Sequence, residues 1–257
     1  MSKRLLALIA VLLLGASFGS GGASGRPAAN GLTVFAASSL TDVFPAIDRS
    51  ANYSFAGSNA LATQLTNGAP ADVFASANTS LPAQLYAAGV VERPVNFTRN
   101  TLVIVVPKSN PANIHSVYDL SNDGVKVEVA APSVPVGSYT LQILKQLGLT
   151  QKITTNIVSQ ETDVRTVLSK VALGQADAGF VYATDARTVP GQVTVIKVPA
   201  WAQPKVMYAM AVVTKSPNQA AAEAFIKRVL SKPGQALLAK YGFLALPKPV
   251  KAATAKV

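Results

Sequence analysis

The chain has 257 residues, is 49% hydrophobic, and carries 23 lysines and arginines against 12 carboxylates, a formal net charge of +11. That length and apolar content suffice for packed cores in one large domain or two lobes, and the absence of cysteine excludes disulfides, thiolate metal sites, cysteine nucleophiles and lipid attachment through an N-terminal cysteine. The basic excess does not read as a nucleic-acid surface, because the cations are scattered except for a thin C-terminal set, Lys240, Lys248, Lys251 and Lys256, without interleaved aromatics.

Lys3 and Arg4 precede the apolar run Leu5 to Leu14 and the small, polar stretch GASFGSGGASG, so residues 1–25 are expected to be a cleavable secretory signal with its lead-in. The apolar run is too short to span about 30 Å of hydrocarbon. From there short apolar runs alternate with helical periodicity, the pattern of a layered α/β fold. LTVFAA (32–37) predicts a buried strand and Leu40 to Ile47 a short helix. NYSFAGS (52–58) predicts a strand running into a helix that carries Leu61 and Leu65 and stops at Asn67-Gly68. ADVFASA (71–77) is a third strand, followed by a helix through Leu81, Leu85 and Ala88 that ends at Gly89.

TLVIVVPK (101–108) is continuously apolar and β-branched, as in a strand buried on both faces. KVEVAAP (126–132) predicts another strand, and the following helix carries Leu141, Leu144 and Leu147 and stops at Gly148. Residues 161–174 place Val164, Val167, Leu168 and Val171 on one helical face, with Asp163 a candidate cap. Strands are predicted to Tyr182, over 193–198 and over KVMYAMAVV (205–213), then helices over 217–230 and 233–240. If the two long apolar runs cross between lobes, lobe I is discontinuous, 31–103 plus 208–247; lobe II is 104–207, and 248–257 is a tail.

Catalysis has little support. His115 is the only histidine and sits in a break-rich stretch, no carboxylate recurs with it at metal-ligand spacing, and no phosphate or dinucleotide fingerprint occurs. A binding site made from strand-to-helix turns needs none of these groups. Ser39 and Ser58 each end a strand-like run and begin a helix, so each either offers a hydroxyl and an N–H to one oxyanion or serves as a plain N-cap, stabilising its helix by about 1 kcal/mol. VPVGSY (134–139) repeats the turn, with Val136 able to give only its N–H. Val164 either adds a first-turn N–H or is simply core, and Tyr182 either aims its hydroxyl at the same place or bonds to backbone. Ser38 reads as a turn residue.

TVFAASSL, FAGSNALATQL, GAPADVFASA, VPVGSY, DVRTVL, FVYATDA and GQALLAKYGF, in this order, resemble the periplasmic molybdate-binding proteins of ABC import systems over nearly all of 32–243. The resemblance implies a two-lobed periplasmic-binding-protein fold of type II that closes on tetrahedral molybdate or tungstate held by neutral donors. It implies the hydroxyls of Ser39, Ser58 and Tyr182 and the backbone N–H groups of Val136 and Val164 as ligand-binding groups. No cofactor, catalytic residue or direct protein–metal ligand is expected. The expected partner is an ABC permease, and the protein itself is expected to be a monomer outside the cytoplasmic membrane, without lipid anchor. Two departures stand out: the segment between Leu40 and Ser58 is short for the family, and Val136 replaces a smaller residue, which leaves its N–H intact. Archaeal relatives add carboxylate oxygens to make the metal octahedral; no carboxylate stands at the matched positions here. The rivals are a receptor for sulfate or another oxyanion and, in a different class, the effector-binding domain of a transcription regulator, which the leading export signal opposes.

Overall fold

A computed structural model describes residues 31–247, so the expected export signal and the 248–257 tail lie outside the described residues. Two five-stranded mixed sheets with flanking helices form two lobes. The chain builds β1 (Thr33–Ala37), α1 (Val43–Ile47), β2 (Asn52–Ala56), α2 (Ser58–Thr66), β3 (Val73–Ser76), α3 (Ser80–Ala87) and β4 (Val95–Asn100). It continues with β5 (Leu102–Pro107), β6 (Val127–Ala130), α4 (Pro135–Gln146), α5 (Thr150–Thr154), β7 (Ile157–Glu161), α6 (Val164–Ala172), β8 (Ala178–Tyr182), α7 (Ala183–Ala186) and β9 (Val193–Lys197). Then come β10 (Val206–Val212), α8 (Gln219–Leu230) and α9 (Lys232–Lys240).

The sheets share one plan. In the first, ordered β2-β1-β3-β10-β4, β1 is parallel to both neighbours and β10 runs antiparallel to β3 and β4. In the second, ordered β7-β6-β8-β5-β9, β6 is parallel to both neighbours and β5 antiparallel to β8 and β9. The chain passes between them twice, through Thr101 and through 198–205; Leu102 and Val103 already pair in the second sheet. The two long apolar runs are therefore the strands next to an edge in each sheet, β5 and β10, both buried almost throughout.

Alternation sorts the first lobe's core. Phe35 and Phe74, in register on β1 and β3, turn to the face covered by Leu61, Leu65 and Leu85 of α2 and α3. Their strand neighbours Val34, Ala36, Val73 and Ala75 turn to the other face, with Phe44, Phe97 and Phe225. Each fully buried side chain of this size contributes about 1.5 to 3 kcal/mol of burial. The second cluster continues through Tyr208 to Tyr182, Val136 and Val164 of the other lobe, so the lobes share apolar contact where the sheets face one another.

Two strands escape the sequence pattern, β4 and β7. Both are sheet edges, and half-exposed sequences such as VNFTRN and IVSQE lack the apolar run that identifies an interior strand. The helix expected from Leu40 is divided, a 3-10 turn over Ser38–Leu40 preceding α1. The helix expected from 161 starts at Val164, because 157–161 pairs with β6.

Candidate functional site

The carboxyl ends of β1, β2, β3 and β8 and the first turns of α2, α4 and α6 meet at one small cavity. It is lined by Ala37, Ser38, Ser39, Ala56, Gly57, Ser58 and Ala77 from the first lobe and Val134, Pro135, Val136, Val164 and Tyr182 from the second. All five residues singled out in the sequence, Ser39, Ser58, Val136, Val164 and Tyr182, thus line the same space. Ser38, read as a turn residue, lines it too. No charged side chain is among the lining residues.

Several segments begin helices here without a side-chain cap. Ala37 precedes the 3-10 turn, Gly57 precedes α2, Val134 precedes α4 and Tyr182 precedes α7, and none makes a side-chain cap hydrogen bond. The serines are therefore not N-caps: Ser58 is the first residue of α2 and Ser39 the middle residue of its turn. At α6 the cap is Asp163, whose carboxylate accepts from the Arg165 N–H at 2.7 Å and the Thr166 N–H at 3.2 Å and does not engage the Val164 N–H. First-turn N–H groups and the positive ends of helix dipoles face such a space by construction.

The hydroxyls are poised as donors. The Ala77 N–H donates to Ser58 Oγ at 3.1 Å, which leaves the Ser58 proton for another acceptor. Ser39 Oγ is 2.9 Å from the Tyr208 hydroxyl. Tyr182 Oη is buried and has no hydrogen-bond partner among the described residues, and burial pushes its hydroxyl well above the ordinary tyrosine value, so it keeps its proton. A buried donor without an acceptor is a rarity that calls for a ligand.

Close approach of backbone fixes the walls. A Cβ on Gly137 would stand 2.1 Å from the Ala131 carbonyl oxygen, so only glycine lets the first turns of α4 lie on the chain leaving β6. A Cβ on Gly57 would stand 2.3 Å from the Thr162 carbonyl oxygen in the other lobe. Around the cavity Asn59 Nδ2 donates to Ser133 Oγ at 3.3 Å across the lobes. Arg165 joins them as well, pairing with Asp42 of the first lobe and, at 2.7 Å, with Asp185 of the second. Asp185 is fully buried, and desolvation, opposed by Arg165, pushes its carboxyl up to about 6.

His115 is exposed and sits within 2.8 Å of Asn113 Oδ1. Among the described residues no group of acidic, histidine or cysteine side chains could hold a metal ion, and no helix is long and apolar enough to cross a membrane.

A family model described as bacterial extracellular solute-binding protein matches residues 32–244. The chain is 42% identical over 225 residues to the molybdate-binding protein ModA of Mycobacterium tuberculosis, covering 84% of this chain and 85% of the relative. Its fold matches a periplasmic molybdate-binding protein from Azotobacter vinelandii with a TM-score of 0.74 at 23% identity, over 84% of this chain and 100% of the other. It matches the sulfate-binding protein SubI of Mycobacterium tuberculosis with a TM-score of 0.72 at 20% identity, over 84% of this chain and 86% of the other.

Proposed function

Because the chain belongs to the family of bacterial extracellular solute-binding proteins, we propose that it captures molybdate, or the similar tungstate, between its lobes and delivers it to an ABC importer. It binds and releases without chemistry, needs no cofactor, and makes no direct bond to the metal. The hydroxyls of Ser39, Ser58 and Tyr182 and the N–H groups of Val136 and Val164 hold the oxyanion. One observation carries the reading: these five line a single small cavity free of charged side chains, with the Tyr182 hydroxyl buried and unpartnered in it. The 42% identity to a molybdate-binding relative supports the choice of ligand.

The chemistry fits a fully ionised tetrahedral dianion. A cavity lined by N–H and hydroxyl donors and by no carboxylate suits oxygens that carry no proton, whereas phosphate near neutral pH keeps a proton that needs an acceptor. Charge-assisted bonds contribute about 1.5 to 3 kcal/mol each. Five or more, less the costs of ordering and desolvation, sustain a net of about 8 to 12 kcal/mol, a micromolar to nanomolar dissociation constant. Closing the lobes excludes water from the bonds and presents the closed form to the permease.

The test is a titration of purified protein with molybdate, tungstate, sulfate and phosphate while following the melting temperature. Molybdate at 100 times its dissociation constant should stabilise the protein by about 2.7 kcal/mol. Sulfate is the rival because it too is a dianion without a proton. An equal shift with sulfate, or none with either metal oxyanion, overturns the assignment.

A further inference from the structure

The two crossings between the lobes are unequal in sequence, and one side chain makes them alike. On the first, Thr101 alone separates Asn100, which pairs with Val206 in the first sheet, from Leu102, which pairs with Tyr182 in the second. The Thr101 N–H donates to Asn100 Oδ1 at 2.9 Å, and its carbonyl accepts from the Ala183 N–H of the second lobe at 2.9 Å. The second crossing has eight residues, 198–205, between Lys197 of β9 and Val206 of β10. Eight free residues would let the lobes slide and twist as well as close, since each brings two soft dihedrals.

Gln203 removes most of that freedom. Its Oε1 accepts from the Leu102 N–H at 3.2 Å and its Nε2 donates to the Leu102 carbonyl at 2.7 Å. A side-chain amide carries an acceptor and a donor side by side, so it satisfies both backbone groups of a strand residue as a neighbouring strand does. A neighbour is missing here: the register that pairs Val103 with Lys197 would bring Val198 opposite Leu102, but β9 ends at Lys197. The rest of the segment is anchored in the same lobe. Val198 and Ala202 are buried, and the 3-10 turn Ala200–Ala202 packs on α4. Gln203 is itself extended, at φ −68° and ψ 125°, the conformation favoured before a proline.

We propose that Gln203 is the positioning residue of the hinge: by clamping Leu102 it makes 198–203 a fixed part of the second lobe and confines bending of the second crossing to Pro204 and Lys205, opposite Thr101 on the first. Val206, the next residue, already pairs with Asn100 in the first lobe, and the Pro204 ring fixes its own φ. The lobes therefore close about one axis through these two points. That motion brings the serine hydroxyls of one lobe and the Val136 and Val164 N–H groups of the other to the anion in a single relative pose. Gln203 does not line the cavity; it acts through the backbone of the crossings.

The inference rests on the oxyanion reading above, because it names the hinge of that closure, and two measurements on the whole protein separate them. Wild type and Gln203→Met, which keeps the length of the stem and drops the amide, are compared by hydrogen exchange without ligand and by calorimetric titration with sodium molybdate. In the variant, peptides covering 101–103 and 198–205 should exchange at least about tenfold faster, as expected for two lost hydrogen bonds, with the rest of the second lobe unchanged. Molybdate affinity should fall about tenfold, the equivalent of ordering one further residue's backbone on closure. Unchanged exchange in the crossings, or faster exchange spread evenly over the second lobe, overturns the clamp. A crossing that loosens while affinity stays the same makes Gln203 a local stabiliser and overturns its part in closure. Should Gln203→Met fail to fold, Gln203→Asn decides by the same criteria, its amide intact but one carbon too short to reach Leu102. Wild type that binds no molybdate removes the oxyanion reading, and the exchange comparison still decides whether Gln203 holds the crossing; wild-type binding with no loss in the variant removes this inference alone.

Discussion

The two lobes use the same sheet plan and face the same cavity, yet they supply different chemistry to it. The first lobe presents two serine hydroxyls, each hydrogen-bonded to a neutral group, Ser58 accepting from the Ala77 N–H and Ser39 sharing a bond with the Tyr208 hydroxyl. The second presents two valines that have only a backbone N–H to give, and one buried tyrosine hydroxyl. Its charges stand one step back, Asp163 capping α6 and Arg165 clasped by Asp42 and Asp185. The difference teaches that backbone geometry and side-chain identity carry separate parts of the site. In the first lobe a change of side chain should remove a donor; in the second, Tyr182 apart, only a change that moves the backbone should.

The glycines test that division with the largest expected effects. Gly137→Ala places a Cβ 2.1 Å from the Ala131 carbonyl and 2.4 Å from that of Ala130, inside the second lobe. Alanine's helical advantage of about 1 kcal/mol is outweighed by overpacking of about 1 to 3 kcal/mol or more against backbone. The melting temperature of the free protein should fall by several degrees, and molybdate affinity should drop by more than about a hundredfold as the Val136 N–H is displaced. Gly57→Ala is the contrast. Its backbone, at φ −58° and ψ 134°, is open to any residue, so the only severe backbone clash is with Thr162 across the lobes. Affinity should again fall steeply while the melting temperature of the free protein stays within about 2 °C. A free protein destabilised as much by Gly57→Ala as by Gly137→Ala would erase the distinction between lobe interior and lobe contact.

Next come the hydroxyls. Ser39→Ala and Ser58→Ala should each weaken molybdate binding by about 1.5 to 3 kcal/mol, read by calorimetry. Ser58→Ala should also lower the melting temperature of the free protein, since it leaves the Ala77 N–H buried and unpaired, whereas Val136→Ala should barely change affinity because its N–H survives. A loss with Val136→Ala as large as with the serines would mean that the second lobe does not bind through backbone.

Much of this arrangement was legible in the sequence because it follows from local rules. Strands β1, β5 and β10 are apolar runs, and α6 shows both its stripe and its Asp163 cap. Edge strands β4 and β7 were not, because a half-exposed strand buries too little to leave a pattern. The serines were placed at the right turns, but of the two parts open to them the N-cap falls away, since a cap and a first-turn residue differ by one position in a chain whose true caps, Ala37 and Gly57, carry no side-chain oxygen. Tyr208 and Asn100 left no signal at all. A tyrosine in KVMYAMAVV reads as core, and its partner lies 169 positions away at Ser39; only the tertiary structure puts them together.

The smallest effects concern Arg165, where the two lobes meet through charge. Asp185 is raised to about 6 by burial, so its folded-state value lies above its unfolded one. The stability this group contributes is therefore present at low pH and lost as pH rises through about 6. Relative to Asp185→Asn, wild type should gain on the order of 1 kcal/mol between pH 7 and pH 5, visible as a change in the difference between their melting temperatures. A difference moving the other way would mean that Arg165, not desolvation, governs the carboxyl. Asp42→Asn tests the other arm of the clasp. Its side chain is 43% exposed and that of Arg165 25%, so solvent screens the pair and its loss should cost only about 0.2 to 1 kcal/mol. Because Asp42 and Arg165 come from opposite lobes, the cost should fall on the closed form: molybdate should dissociate up to about fivefold faster, with association little changed. The effect should shrink in 1 M salt. A change confined to association would instead make Asp42 part of how the anion enters, and would move the charge of this clasp from holding the lobes together to steering the ligand between them.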